Sequence, residues 1–185
     1  AMVEITVSDS TFATENGTLE GGVGGSDVIT FGNIYQLLEN DKFTSFTIGW
    51  HELTDNISFT VSLFRINMPD SSIVEEVYQS EPIVRGPEMA NQYISWNLET
   101  AVSLEPGYYA LMVNQLDATS IRVGYTGEAN GLFWRKSGNE VTTFENTQWG
   151  NVAIRMHVFD EGVGIHSVSK ASAIRFYPNP ASDRL

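Results

Sequence analysis

The fold is decided by the stretch Phe59-Thr60-Val61-Ser62-Leu63-Phe64-Arg65-Ile66, in which large apolar residues recur at every second position. Side chains of an extended strand alternate between the two faces of a sheet, so Phe59, Val61 and Leu63 share one face. We expect this face to point into a hydrophobic core. The stretch therefore predicts a β-strand and not a helix, whose apolar residues would recur every three or four positions.

The same period of two recurs along most of the chain, and the intervening segments carry turn residues, as in Asp55-Asn56 and Ser137-Gly138-Asn139. We predict an all-β fold, an antiparallel and jelly-roll-like β-sandwich of about ten or eleven strands. The predicted strands are 3–7, 28–38, 43–50, 57–66, 72–79, 92–98, 107–114, 120–125, 131–136, 140–144 and 151–159.

Two of these strands indicate how the core is lined. In 152–158, four apolar residues at alternate positions predict a buried face, which leaves Arg155 and His157 on the opposite face. The stretch 108–113 is almost continuously apolar, which is typical of a central strand covered on both faces.

The composition excludes several classes of protein. With 10 Lys and Arg against 23 Asp and Glu, the net charge of −13 argues against nucleic-acid binding, which needs clustered positive charge. The absence of cysteine excludes disulfides, thiolate metal sites and cysteine nucleophiles. No run approaches the roughly 20 apolar residues of a membrane span. The opening Ala1-Met2-Val3-Glu4 lacks the basic and apolar layout of a signal peptide.

The alternation stops at Asp160, which places a domain boundary there. We predict a β-sandwich module over 1–160 and a linker over 161–173, where small and polar residues mix with isolated aliphatic ones. Residues 174–185 then begin like a strand and form a third, separate segment.

Catalytic motifs are missing from the sequence. There is no Gly-x-Ser-x-Gly elbow, no His-Glu-x-x-His and no phosphate-binding loop, and the three histidines are His51, His157 and His166. Because His166 lies in the predicted linker, a three-histidine metal site is disfavoured. We expect His51 and His157 to be exposed strand residues, and we predict that the domain is not an enzyme.

Two further motifs have alternative interpretations. The glycine-rich stretch 21–25 is followed by a strand pattern and not by the helix that a nucleotide-binding loop requires, so we interpret it as a flexible loop or a bulged edge. Glu75 and Glu76 could serve as the paired carboxylates of a glycosidase. Adjacent strand residues point to opposite faces, however, so the pair cannot flank one bond unless a bulge intervenes.

Acidic residues in turns leave a structural calcium ion possible, because Ca²⁺ binds carboxylate and carbonyl oxygens. No segment has an EF-hand layout, so the metal ligands stay unknown and no cofactor is certain. The acidic residues in or beside turns are Asp9, Glu15, Asp27, Asp55, Asp70, Asp117 and Asp160.

The tryptophans are the candidates for ligand binding, since an exposed indole is a flat platform for a sugar ring. Trp134 and Trp149 flank turns and have polar neighbours. The candidate ligand-binding residues are Trp134, Arg135 and Trp149. The alternative for each tryptophan is a packing role, which we expect for Trp96.

The last ten residues, Phe176-Tyr177-Pro178-Asn179-Pro180-Ala181-Ser182-Asp183-Arg184-Leu185, resemble the opening of the C-terminal sorting domain of type IX secretion cargo from Bacteroidetes. The first strand of such domains typically follows a Tyr-Pro-Asn-Pro-Ala-x-Asp-x-Leu pattern. The resemblance implies a cargo protein cut just inside its sorting domain, with the type IX machinery as a partner. It also implies an extracellular or outer-membrane surface location.

Residues 28–159 look like the jelly-roll or adhesin-type β-sandwich domains that commonly precede this sorting signal. The likeness lies in the order of four stretches: Ile34-Tyr35-Gln36-Leu37, 43–48, 59–64 and 102–111, the last with an apolar-x-Leu-x-Pro-Gly-x-Tyr pattern. Asp9-Ser10-Thr11 also resembles the acceptor pattern of Bacteroidetes O-glycosylation, with a plain turn as the alternative.

We therefore expect a non-catalytic extracellular module that binds a glycan, protein or matrix ligand at the cell surface. One alternative is a glycosidase-type hydrolase whose carboxylates are brought together by the fold. The other is a structural spacer, which would have neither an aromatic platform nor a pocket.

Overall fold

Thirteen β-strands are present in the residues that the computed structural model describes, which are 10–52, 54–68, 70–126, 133–144 and 151–159. The helical structure in these ranges is one 3-10 turn at Pro87–Met89, so they contain no helix that could span a membrane. The strands are β1 (Ser10–Phe12), β2 (Gly21–Val23), β3 (Ile29–Leu37), β4 (Asp41–Gly49), β5 (Ile57–Ile66), β6 (Ile73–Gln79), β7 (Ile83–Arg85), β8 (Tyr93–Leu104), β9 (Gly107–Gln115), β10 (Val123–Tyr125), β11 (Phe133–Ser137), β12 (Glu140–Phe144) and β13 (Ile154–Phe159).

The strands form two main antiparallel sheets. The smaller sheet has the order β1-β13-β4-β8. The larger has the order β12-β11-β3-β9-β5-β6, with β7 paired to the first residues of β5. The remaining pair, β10 and β2, is linked to the end of β4 by the bridge between Trp50 and Val123.

Eight of these strands follow a jelly-roll order. The chain changes sheet after β1, β3, β4, β6, β8 and β9, which leaves β1-β13-β4-β8 facing β3-β9-β5-β6. Two interlocked Greek keys produce this arrangement. The predicted all-β, jelly-roll-like sandwich is thereby confirmed.

The count of about ten or eleven strands was too low. The structure adds β1, β2 and β7, each of three residues. A segment so short carries too few alternating positions for the period of two to be recognised. The predicted strand 3–7, the linker 161–173 and the segment 174–185 lie outside the described residues.

The main core fills the space between the two sheets. Phe59, Val61 and Leu63 of β5 have no exposed surface, as the alternation predicted. The apolar face of β13 is likewise buried, and β9, between β3 and β5, is buried over Tyr109–Val113. Aromatic rings pack at one end of this core, where Trp50 lies edge-on to both Phe59 and Trp96.

A second, smaller core lies on the outer face of the larger sheet and was not predicted. Its buried members are Phe64, Ile66, Ala110, Met112 and Val141. The sheet curls around them, because its edges meet where Ser72, beside β6, forms a bridge to Glu140 of β12. The amide of Val141 donates to the carbonyl of Ser71 at 2.9 Å. The hairpin β11–β12 is thus folded back over β5 and β9.

Residues 21–23 of the glycine-rich stretch 21–25 form β2, paired with β10, so the interpretation as a flexible loop was wrong for these three residues. β2 is an edge strand of a two-stranded sheet, and its pairing with β10 has no bulge. A Cβ atom on Gly22 would come within 2.9 Å of the Cβ atoms of both His51 and Arg122. Glycine is needed here because neighbouring chain segments approach closely, and not because the segment bends freely.

Candidate functional site

A groove of about 880 Å³ opens at the end of the sandwich where β3 turns into β4 and β8 turns into β9. The register brings these turns together, because Leu37 pairs with Gly107 and Asp41 pairs with Leu104. The groove is lined by Glu39, Asn40, Asp41, Lys42, Arg65, Glu75, Glu76, Val77, Val102, Ser103, Leu104, Glu105, Tyr109 and Phe159. Its walls therefore come from both sheets.

The lining of the groove is mainly acidic. Five carboxylates and two cations, Lys42 and Arg65, contribute to it. Arg65 Nη1 lies 3.0 Å from Glu105 Oε2 and 3.9 Å from Glu75 Oε1, with one third of its side chain exposed. The guanidinium is therefore held between a strand and a turn, and it neutralises only part of the negative charge.

Two neighbouring acidic residues of β6, Glu75 and Glu76, line this groove. Glu76 pairs with Phe64 and Glu75 pairs with Arg65, so the two glutamates occupy consecutive positions of a regular ladder. The bulge in β6 is at Val77, which follows the pair, so no bulge intervenes between the glutamates and their side chains alternate between the faces of the sheet. The carboxylate of Glu75 lies on the side of Arg65, with Oε1 3.9 Å from Nη1.

Two aromatic residues complete the groove. Tyr109 is buried, and its hydroxyl donates to the carbonyl of Glu105 at 2.8 Å, which fixes the β8–β9 turn. Burial raises the pKa of this phenol above its ordinary value, although Arg65 acts in the opposite direction. Phe159 ends β13 with 37% of its surface exposed. The groove thus presents an apolar ring beside carboxylates and a guanidinium.

The predicted ligand-binding residues lie elsewhere. Trp134 is half-buried on β11 and packs against the second core, while Arg135 is exposed. As adjacent residues of one strand, they direct their side chains to opposite faces of the sheet. Trp149 lies outside the described residues. Binding by these three residues stays a prediction, and the structure does not bring Trp134 and Arg135 onto one surface.

The expectation that His51 and His157 are exposed was wrong, because both are half-buried. His157 lies between hydroxyls, with Nε2 2.7 Å from Thr47 Oγ1 and Nδ1 2.9 Å from Thr11 Oγ1. His51 Nδ1 lies 3.3 Å from Nη2 of Arg122. Within the described residues, no three His, Asp or Glu side chains are grouped so that they could hold a metal ion. His166 lies outside these residues.

Sequence reasoning missed the groove because its lining comes from five separate segments. Each acidic residue by itself resembles ordinary solvated surface charge. The one available signal was the adjacent acidic pair Glu75-Glu76. No protein-family model matches the chain, and no curated protein is significantly similar to it. The chemistry of the groove is therefore the basis for a functional assignment.

Proposed function

We propose that this domain is a non-catalytic extracellular binding module and that the groove between the β3–β4 and β8–β9 turns holds a neutral glycan. The observation that carries the proposal is the composition of the groove. Carboxylates and a guanidinium bind sugar hydroxyls through charge-assisted hydrogen bonds, and the exposed ring of Phe159 offers an apolar surface to the C–H face of a sugar.

The charge of the groove narrows the class of ligand. Carboxylates outnumber cations by five to two, so an acidic sugar would be repelled. A sugar whose groups are all hydroxyls avoids this repulsion while still donating hydrogen bonds to the carboxylates. Neutral oligosaccharides are therefore favoured over acidic ones at this end of the sandwich.

The test is a glycan array followed by titration calorimetry with the best neutral oligosaccharide. We expect Glu76→Gln, Glu105→Gln and Phe159→Ala each to weaken binding about tenfold or more, because each removes a hydrogen-bond acceptor or the apolar surface. Glu20→Gln is the matched control, since Glu20 is exposed beside β2 at the other end of the molecule.

Variants at the two candidate sites, the groove and the residues predicted on β11, show which of them holds the ligand. If Arg135→Ala abolishes glycan binding while the three groove variants keep it, the ligand is held on β11 and the groove proposal is wrong. If no glycan or extracellular protein binds, the domain is a spacer.

A hydrolase is the second candidate, because several carboxylates, those of Glu75 and Glu76 among them, line one groove. Two carboxyl groups acting on a glycosidic bond are the minimal machinery of a glycosidase. Release of new reducing ends from a bound oligosaccharide, abolished by Glu75→Gln or Glu76→Gln, would establish this activity. We expect none.

The proposed location is the cell surface or the extracellular space, reached through type IX secretion. The support is the segment 176–185, which lies outside the described residues. In cells that make the full-length protein, we expect protease added outside intact cells to degrade it, or the culture medium to contain it. Retention in the cytoplasm would contradict the proposal.

A further inference from the structure

A buried arginine, a half-buried arginine and a buried tryptophan lie together at the end of the sandwich opposite the groove. Trp50 follows β4, Arg85 ends β7 and Arg122 precedes β10. These positions are brought together because Trp50 forms a bridge with Val123 and Arg85 pairs with Ile57 at the start of β5. We call Trp50, Arg85 and Arg122 the cationic cluster.

Arg85 is the central member of the cationic cluster. It has no exposed surface, and its guanidinium carbon lies 5.1 Å from the centroid of the Trp50 ring. Its Nη2 donates to the carbonyl of His51. Its Nε and Nη1 are buried without a hydrogen-bond partner among the described residues. A buried guanidinium with two unpaired donors is energetically costly.

Further unpaired donors belong to the other two members. Arg122 Nε and Trp50 Nε1 are also buried and without a partner in the described part of the chain. Arg122 Nη2 is 3.3 Å from Nδ1 of His51, and Arg122 itself is only half-buried. Four donor nitrogen atoms on three side chains therefore lack acceptors in one region.

The backbone around the cationic cluster is held firmly. Arg122 has a positive φ of 55°, which a bulky side chain rarely adopts. The amide of His51 donates to the carbonyl of Arg122 at 3.1 Å. The buried amide of Gln115 accepts from the amide of Ile121 at 3.1 Å and donates to the carbonyl of Asp117 at 2.8 Å. The backbone that carries Arg122 is therefore fixed by hydrogen bonds of its neighbours.

We propose that the cationic cluster binds a compact oxyanion, a carboxylate or a sulfate group. An oxyanion accepts several N–H bonds at once, and it adds negative charge to the partial compensation that the exposed carboxylate of Glu88 gives Arg85. Burial, together with the charge of Arg122, lowers the pKa of Arg85 to about 10, so the guanidinium is still charged at neutral pH.

Arg122 is the member of the cationic cluster that solvent reaches, since Arg85 and Trp50 are fully buried. Glu88 is exposed, and its charge acts on Arg85. Because Arg85 is fully covered, an anion reaches it when the half-buried side chain of Arg122 moves aside. The exposed carboxylate of Glu88 opposes an incoming anion by like-charge repulsion. Its removal should therefore strengthen binding.

The experiment measures the melting temperature at pH 7 in sodium acetate, sodium sulfate and sodium chloride of equal ionic strength. A ligand that binds the folded state raises this temperature in a saturable manner. We expect acetate or sulfate to raise it by two degrees or more over chloride, saturating at millimolar concentration. Glu88→Gln should reach the same shift at a lower anion concentration.

The variants Arg85→Met and Arg122→Met should lose this shift. Lys136→Met is the matched control, since it also removes one positive charge but lies on the β11–β12 hairpin, with Nζ 5.7 Å from the ring centroid of Phe64. It should keep the shift. A general salt effect, equal in all variants, would overturn the proposal, as would equal melting temperatures in the three salts.

A second measurement covers the case in which Arg85→Met does not fold. In the unmodified protein, the Nε–Hε resonances of Arg85 and Arg122 should move on titration with acetate or sulfate, and that of Arg65 should not. Resonances that remain unmoved would overturn the proposal independently of the variants.

Discussion

Arg155 Nε donates to Oε1 of Glu15 at 2.5 Å, and the side chain of Glu15 is completely buried. Glu15 lies in the segment after β1, whereas Arg155 is on β13. Tyr93 of β8 joins the pair, because its hydroxyl donates to Oε2 of Glu15 at 3.0 Å and its ring lies 4.3 Å from the Arg155 guanidinium carbon. This arrangement holds the N-terminal segment against the smaller sheet.

Replacing Glu15 by Gln should destabilise the domain by about 2–4 kcal/mol, because it leaves the partly buried guanidinium of Arg155 without its counter-charge. The measurement is urea denaturation at pH 7. Glu20→Gln, at an exposed position in the same part of the chain, should change stability by less than about 0.5 kcal/mol. Equal stabilities of the two variants would contradict the importance of the ion pair.

The same pair predicts how stability depends on pH. Burial alone would raise the pKa of Glu15, but hydrogen bonds from Arg155 and the amide of Gly17 hold it below the ordinary value of 4.5. The stabilisation is complete above that ordinary value and is lost as the pH falls through the folded-state pKa. In urea-denaturation series between pH 7 and pH 3, the free energy of unfolding should fall less steeply with decreasing pH for Glu15→Gln than for the unmodified protein. Parallel pH profiles of the two proteins would disprove this.

Truncating Phe64 tests whether the second core, on the outer face of the larger sheet, contributes to stability. Phe64 is 5% exposed, so Phe64→Ala should cost about 3–5 kcal/mol through lost burial and a residual cavity. Hydrogen exchange should accelerate first in the β11–β12 hairpin, which packs over this cluster. Val74→Ala, at an exposed position on β6, is the control. A cost below 1 kcal/mol for Phe64→Ala would mean that the hairpin adds little to stability.

Asn33 should contribute as much to the stability of the domain as an apolar core residue does. It is buried on the inner face of β3, and its Nδ2 donates to the carbonyls of Val152 and Ile154 at 2.9 and 3.0 Å. Asn33→Leu keeps a similar volume but leaves these carbonyls without that donor, at a cost of about 2–4 kcal/mol. Thermal denaturation measures this, with Asn97→Leu on the exposed face of β8 as the control. Wild-type stability of Asn33→Leu would show that water replaces the amide.

The architecture was largely predictable, because it follows from a local property. Alternation in 57–66 correctly assigned Phe59, Val61 and Leu63 to the core, since a strand's period of two depends only on its own residues. Phe64, on the opposite face, was not recognised as buried. Its burial depends on the β11–β12 hairpin, whose position is set by pairing between distant segments.

The sites were much less predictable. Glu75 of β6 and Glu105 of the β8–β9 turn meet at Arg65 in one groove, and this meeting depends on the pairing of distant strands. The glycine-rich stretch 21–25 was predicted to be a flexible loop or a bulged edge, because the sequence does not show which side chains pack against these glycines. Trp134 looked like a possible platform because it flanks a turn, yet it packs against the second core.

By itself, the sequence determined the strand period, the all-β sandwich and the acidic character of the chain. The tertiary structure alone decided that carboxylates from both sheets form one groove and that Arg85 is buried beside Arg122 at the opposite end. The physical reason is that hydrophobic periodicity is encoded over a few neighbouring residues. The burial and pairing of a charge, in contrast, depend on segments far apart in the chain, which come together only when both sheets have packed.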